Sequence, residues 1–159
     1  MTEVRLGSDS DIEAATAVFA AAAEARRGTP VPAEQLERVT ERLASGGFLL
    51  LATDLGTPIG MAAAFPARDD EGAGPVIPGL CHLGMVFVAP QHWGRMVGRA
   101  LVEAVLAEAR ARGFERIQLY THEDNSRGQA LYGGRGFART GFTKDDEGGE
   151  RVALWARAL

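Results

Sequence analysis

Residues 86–99 read Val86-Phe87-Val88-Ala89-Pro90-Gln91-His92-Trp93-Gly94-Arg95-Met96-Val97-Gly98-Arg99. An apolar, β-branched run stops at Pro90, and a short loop carrying Gly94 and Arg95 follows. The next apolar residues, Val97, Leu101, Val102, Val105 and Leu106, are spaced for one buried face of a helix. The first turn of a helix has backbone N–H groups without an internal acceptor, and the helix dipole makes that end positive. A strand that feeds a glycine loop opening a helix is therefore a seat for an anion, typically a phosphate. Arg95 and Arg99 stand ready to add charge. The loop lacks the Gly-Lys-Ser/Thr ending of a nucleoside triphosphatase loop. The histidines are His82, His92 and His122. They lack i, i+4 metal spacing, and no metal site is expected. Cys81, the single cysteine, reads as a small buried apolar group.

The elements that must hold these groups follow from periodicity and punctuation. Residues 4–6 read as a short first strand. Ser10-Asp11-Ile12-Glu13 has the spacing of a capping box and predicts a helix running to about residue 27, stopped by Gly28-Thr29-Pro30. Residues 32–43 read as a second helix with Leu36, Val39 and Leu43 on one face. Strands are expected at 48–53 and 59–65, joined by the turn at 54–57. Residues 68–79, rich in Asp, Gly and Pro, read as a flexible surface loop. A strand at 80–88 leads into the anion loop and a long helix ending near Gly113. Strands at 116–121, 137–143 and 151–155 follow, with a short helix at 126–134 that Gly128, Gly133 and Gly134 weaken. The order β α α β β β α β α β β describes an α+β fold (an α/β mixed sheet) with helices on both faces.

At 159 residues the chain is long enough for one domain with a substantial core. A net charge of -4 argues against nucleic acid as a bulk partner. No apolar run is long enough to span a bilayer, and the start of the chain does not read as a signal peptide. A lone cysteine fits a reducing, cytoplasmic setting.

Residues 88–101 resemble the acetyl-CoA pyrophosphate loop of the GNAT N-acetyltransferases, Q/R-x-x-G-x-G/A. Downstream, Asn125-Ser126-Arg127-Gly128-Gln129-Ala130-Leu131-Tyr132, followed by Gly136-Phe137, resembles the family's N-x-x-A-x-x-L-Y and G-F signature. The similarity is strongest over 80–142, and the N-terminal third agrees in pattern. With Gly98 as the last glycine of the loop, Trp93 takes the Q/R position and Met96 the first glycine. Starting the motif at Gln91 puts Gly94 at the first glycine and Met96 at the G/A position. The first register keeps the Val-x-Pro spacing and the helix start. In both, Met96 departs from the pattern. A positive φ there would strain methionine, whereas a need for its N–H alone would not, and the persistence of the other loop features favours the second.

The resemblance implies a GNAT-like acyl-CoA N-acyltransferase fold over residues 1–159, with a central, mostly antiparallel sheet flanked by helices. It implies acetyl-CoA as acetyl donor and a primary amine of a small molecule or peptide as acceptor. Cofactor contacts fall to Val86, Phe87 and Val88, to Trp93, Gly94, Arg95, Met96, Val97, Gly98 and Arg99, and to Asn125 and Tyr132. Residues 85–88 should splay from the neighbouring strand, leaving N–H and C=O groups of Val86 and Val88 for the pantetheine arm. Tyr132 stands where the family keeps a general acid for the leaving thiolate. His82 stands where relatives place a glutamate base, and Glu123 is a second candidate. The acceptor is expected beside the first two helices and the 144–149 turn, a charged hairpin whose Asp145, Asp146 and Glu147 would suit a cation. The resemblance also allows a homodimer through sheet edges. Met96 and the missing glutamate motivate an alternative, a catalytically silent acyl-CoA-binding or regulatory module of the same fold.

Overall fold

Periodic alanine and larger apolar residues drive the first helix. Ile12, Ala15, Val18, Phe19, Ala22 and Ala23 recur at helical spacing and are the buried residues of α1 (Ile12–Arg27), which Gly28 ends in a left-handed conformation, φ 75°. The computed structural model describes residues 1–159. The remaining elements are β1 (Thr2–Leu6), α2 (Ala33–Ala44), β2 (Phe48–Asp54), β3 (Thr57–Arg68), β4 (Val76–Val88), α3 (Val97–Ala111), β5 (Arg116–His122), α4 (Ser126–Gly134), β6 (Ala138–Asp145) and β7 (Arg151–Ala158). Seven strands form one mixed sheet in the order β1-β2-β3-β4-β5-β7-β6. The pairs β1–β2, β2–β3, β5–β7 and β6–β7 are antiparallel, and β4–β5 is parallel.

Two compact units share the chain. In the first, residues 1–65 and 85–105, α1 and α2 pack a core of Phe19, Val39, Leu43, Leu49, Leu51, Met61 and Met85, with Phe65 and Phe87 against it. Phe19 and Phe87 meet edge to face at 4.9 Å. Gly60 on β3 lets the start of α3 approach: a Cβ there would come within 3.0 Å of both Val97 and Leu101 side chains. In the second unit, residues 66–84 and 106–159, Ile117, Leu119 and Thr121 are buried on alternate positions of β5, and β7 buries Val152, Ala153 and Trp155.

Two local expectations give way. The cap before α1 is at Ser8 and Asp11, around a 3₁₀ turn at Asp9–Asp11, two residues ahead of the Ser10–Glu13 pattern. The Asp11 carboxylate accepts from the Ser8 N–H at 2.8 Å and from both Arg5 terminal nitrogens at 2.9 Å, so the bidentate ion pair selects between two overlapping serine–acid spacings. The 68–79 segment is also shorter as a loop than its composition suggests. β3 runs through Arg68 and β4 starts at Val76, because Pro and Gly are tolerated at strand ends.

Candidate functional site

The anion loop lies in the first unit. A 3₁₀ turn at Pro90–His92 follows β4, with the Ala89 N–H anchored on the Ile59 carbonyl at 2.8 Å. Gly94 (φ 78°) and Met96 (φ 64°) both take left-handed backbone, and α3 begins at the next residue. The Ala100 N–H bonds to the Met96 carbonyl at 3.1 Å, so the N–H groups of Val97, Gly98 and Arg99 open the helix with no intrahelical acceptor. This corrects the expectation that Met96 supplies only an N–H: its backbone needs the conformation that favours glycine. Its side chain is 69% exposed, which explains how methionine is accommodated without a steric clash with the core. Arg99 is tied to Glu103 at 3.1 Å, which leaves Arg95 as the loop's cation outside such a pair.

Trp93 does more than pack. Its indole N–H donates to the Val88 carbonyl at 2.7 Å and pins the loop back on the strand. That carbonyl was expected to be free for a ligand; the nearby indole donor takes one of its two lone pairs. Val86 and Val88 are half-buried, and the Phe87 ring belongs to the helix-side core.

The second unit holds the proton-transfer candidates. The parallel ladder between β4 and β5 covers Leu80–His82 and Arg116–Gln118, while β5 continues to His122, paired along its length with β7. Half-buried His82 ends that ladder. Its Nδ1 lies 3.3 Å from Gln118 Nε2, and its ring centroid is 5.9 Å from that of Tyr120. Neighbouring Cys81 is fully buried, and burial pushes its thiol up to about 12, so it is inert as a nucleophile. Burial and the Glu71 carboxylate raise the Tyr120 phenol above its ordinary value.

Glu123 is held elsewhere: its carboxylate accepts from Arg139 at 2.8 Å. Asn125 caps α4, accepting from the Gly128 N–H at 3.0 Å and donating to Thr121 Oγ1 at 3.3 Å. Gly128 stands at the alanine position of the N-x-x-A pattern. In this cap a Cβ on Gly128 would run into Asn125 Nδ2 and stand 3.1 Å from Thr121 Oγ1. Tyr132, on the same short helix, is half-buried and packs edge to face with Phe137 at 6.0 Å.

The 144–149 turn does not present free acids in the way its sequence suggests. Asp145 pairs with Arg151 at 3.3 Å. Asp146 accepts from His122 at 2.8 Å and from the Gly148 and Glu150 N–H groups, contacts that hold its carboxyl below the usual range. His122, Asp146 and Glu150 bring potential metal-ligand atoms within 4.8 Å of one another. They lie on a strand end and a hairpin, and no short spacing announces them. Gln118 and Tyr120 were also missed, although period-two alternation from the His82 register partner points to both.

Residues 14–137 match the Acetyltransferase (GNAT) family. The chain belongs to the GNAT acetyltransferase family. Over 50 residues, 31% of this chain and 17% of the relative, it is 46% identical to mycothiol acetyltransferase of Beutenbergia cavernae. The chain spans between 17% and 39% of the length of the curated relatives it matches there. Its structure resembles ribosomal-protein-S18-alanine N-acetyltransferase from Escherichia coli, with a TM-score of 0.77 at 19% identity, covering 100% of this chain and 94% of that one. An acetyltransferase from Salmonella typhimurium, solved with its cofactor acetyl-CoA, gives a TM-score of 0.76 at 20% identity, again covering 100% and 94%. At these identities the two structures establish the GNAT fold. No helix is long and apolar enough to cross a membrane.

Proposed function

We propose that this GNAT chain is an acetyl-CoA-dependent N-acetyltransferase acting on a primary amine of a small molecule or peptide. The carrying observation is the loop before α3. Two left-handed residues, Gly94 and Met96, turn the chain directly into a helix whose first N–H groups lack internal acceptors, with Arg95 beside them. That donor set suits a diphosphate: several N–H groups, a helix dipole and one guanidinium. A Cβ built at Gly94 meets nothing within 4 Å, so the loop is open on that side.

Acetyl-CoA supplies the acetyl group as a reactive thioester. Gly94, Arg95, Met96, Val97, Gly98 and Arg99 would hold its pyrophosphate, and backbone groups of Val86 and Val88 its pantetheine arm, with Phe87 keeping that strand seated. Asn125 orients the start of α4 and thereby Tyr132. The Tyr132 hydroxyl donates a proton to the departing sulfur. His82 takes a proton from the acceptor amine. Nε2 is the nitrogen that takes the proton when Nδ1–H faces an amide oxygen, which a half-turn of the Gln118 amide provides. Glu123 is the alternative base, and its pairing with Arg139 makes it the poorer one. A reducing cytoplasm suits the single buried thiol.

Calorimetry with acetyl-CoA and thiol release across a panel of amines test this reading together. Binding with release on at least one amine is expected. Binding without release on any amine supports a silent acyl-CoA-binding module, and no binding at about millimolar acetyl-CoA, a free energy near -4 kcal/mol, overturns the cofactor reading.

A further inference from the structure

Register places several functional side chains of the second unit on one face of its sheet. His82 pairs with Gln118, and Tyr120 and His122 follow on β5 at period two. Lys144 pairs with Val152, which pairs with His122, so Lys144 shares that face. The Lys144 ammonium lies over the Tyr120 ring, 4.4 Å from its centroid. The Tyr120 ring is flanked by His82 at 5.9 Å and by the 45% exposed Phe142 at 6.4 Å. Lys144 is the only lysine in the chain.

The charge on Lys144 is fixed in place but weakly matched. Its side chain is 26% exposed, and its ion-pair partner Glu71, 57% exposed, stands 3.9 Å away, too far for a hydrogen bond. Neighbouring cations are more closely engaged: Arg139 with Glu123 at 2.8 Å, and Arg151 with Thr143 at 2.8 Å. Glu71 sits on a turn where its own backbone is left-handed, φ 54°. Its carboxylate marks the place a carboxylate from a ligand would take at shorter range.

We propose that Lys144, seated on Tyr120 beside Phe142 and His82, is the counter-ion that selects an acceptor amine carrying a carboxylate next to an apolar or aromatic group. Tyr120 and Phe142 receive the apolar part, Lys144 the carboxylate, and the amine lies toward His82. Glu71 acts as the internal competitor for the same ammonium. The proposal rests on the acetyl-transfer reading for the word acceptor; the carboxylate seat itself does not.

The seat is tested with 3-phenylpropanoate, which has the ring and carboxylate but no amine. Its dissociation constant is expected to rise about tenfold in Lys144→Gln, the loss of one charge-assisted contact, and to recover in Lys144→Arg. Glu71→Gln is expected to tighten it, an opposite sign that a purely structural role for the pair would not produce. In turnover, the ratio of kcat/KM for L-phenylalanine over 2-phenylethylamine should fall in Lys144→Gln and rise in Glu71→Gln. Equal binding of 3-phenylpropanoate by all four proteins, or none by the unaltered protein at about 10 mM, overturns the proposal. Lysine-dependent binding with no thiol release on any amine upholds the seat and overturns the acetyl-transfer reading alone. Thiol release with an unchanged substrate ratio overturns the proposal and leaves acetyl transfer standing.

Discussion

Replacing Met96 with glycine isolates the strain built into the anion loop. Met96 has φ 64° and a side chain that is 69% exposed, so the substitution removes little buried surface. Left-handed backbone costs an ordinary L-residue about 1–2 kcal/mol. Glycine returns about 0.5–1 kcal/mol of this through the greater freedom of the unfolded chain. The expected net gain is about 0.5–1 kcal/mol, which for a chain of this length raises Tm by about 1–4 °C. Met96→Ala is the control, since it truncates the same exposed side chain and keeps the strain; its Tm should stay within about 1 °C of the unaltered protein. The assay is thermal unfolding of the three proteins, followed by acetyl-CoA titration. Cofactor affinity should hold or improve in Met96→Gly, because the N–H groups remain and their geometry becomes easier to reach. A lower Tm in Met96→Gly than in Met96→Ala would refute the strain argument. A large loss of acetyl-CoA affinity would show that the methionine side chain belongs to the cofactor site.

Three further perturbations probe other parts of the site. Tyr132→Phe should lower turnover by about 10²-fold with little change in acetyl-CoA affinity, and unchanged single-turnover rates would remove its role as acid. Gly128→Ala should displace the Asn125 cap, because a Cβ there runs into Asn125 Nδ2; a loss of about 1–2 kcal/mol in urea unfolding is expected, and unaltered stability would show that the cap relaxes freely. The Asp11 carboxylate is held below the usual range, chiefly by its hydrogen bonds with Arg5. A carboxylate with a lowered folded pKa contributes stability that is present above its unfolded value near 4 and is lost as pH falls below it. Asp11→Asn should therefore reduce Tm near neutrality and flatten its decline below about pH 4; parallel pH profiles for the two proteins would contradict that linkage.

Much of the scaffold was legible because period and punctuation are local properties. The Ala-rich helix stops at Gly28 with φ 75°, as a glycine after basic residues suggests. The strand–loop–helix passage at 86–99 appears with the expected element order. Errors arose where two local solutions competed. Ser8–Asp11 and Ser10–Glu13 both offer a serine–acid cap, and only Arg5, brought across from β1, favours the first. The Val88 carbonyl looked available along the strand, yet Trp93 folds back to donate to it.

The identity of the chain as a GNAT protein was already carried by its two motif blocks, because a phosphate-binding helix start and a capped short helix are built from neighbouring residues. The proposed anion loop is accordingly a property of sequence. The proposed carboxylate seat of the second unit is a property of packing. Lys144, Tyr120, Phe142, His82 and Glu71 come from four separate stretches of chain: sheet register puts His82, Tyr120 and Lys144 on one face, and the turn after β3 adds Glu71. Even within the loop, the residue at position 96 was evident, but its positive φ was not. The turn it makes leads into α3, whose close seating on β3 at Gly60 is a tertiary contact that no local pattern records.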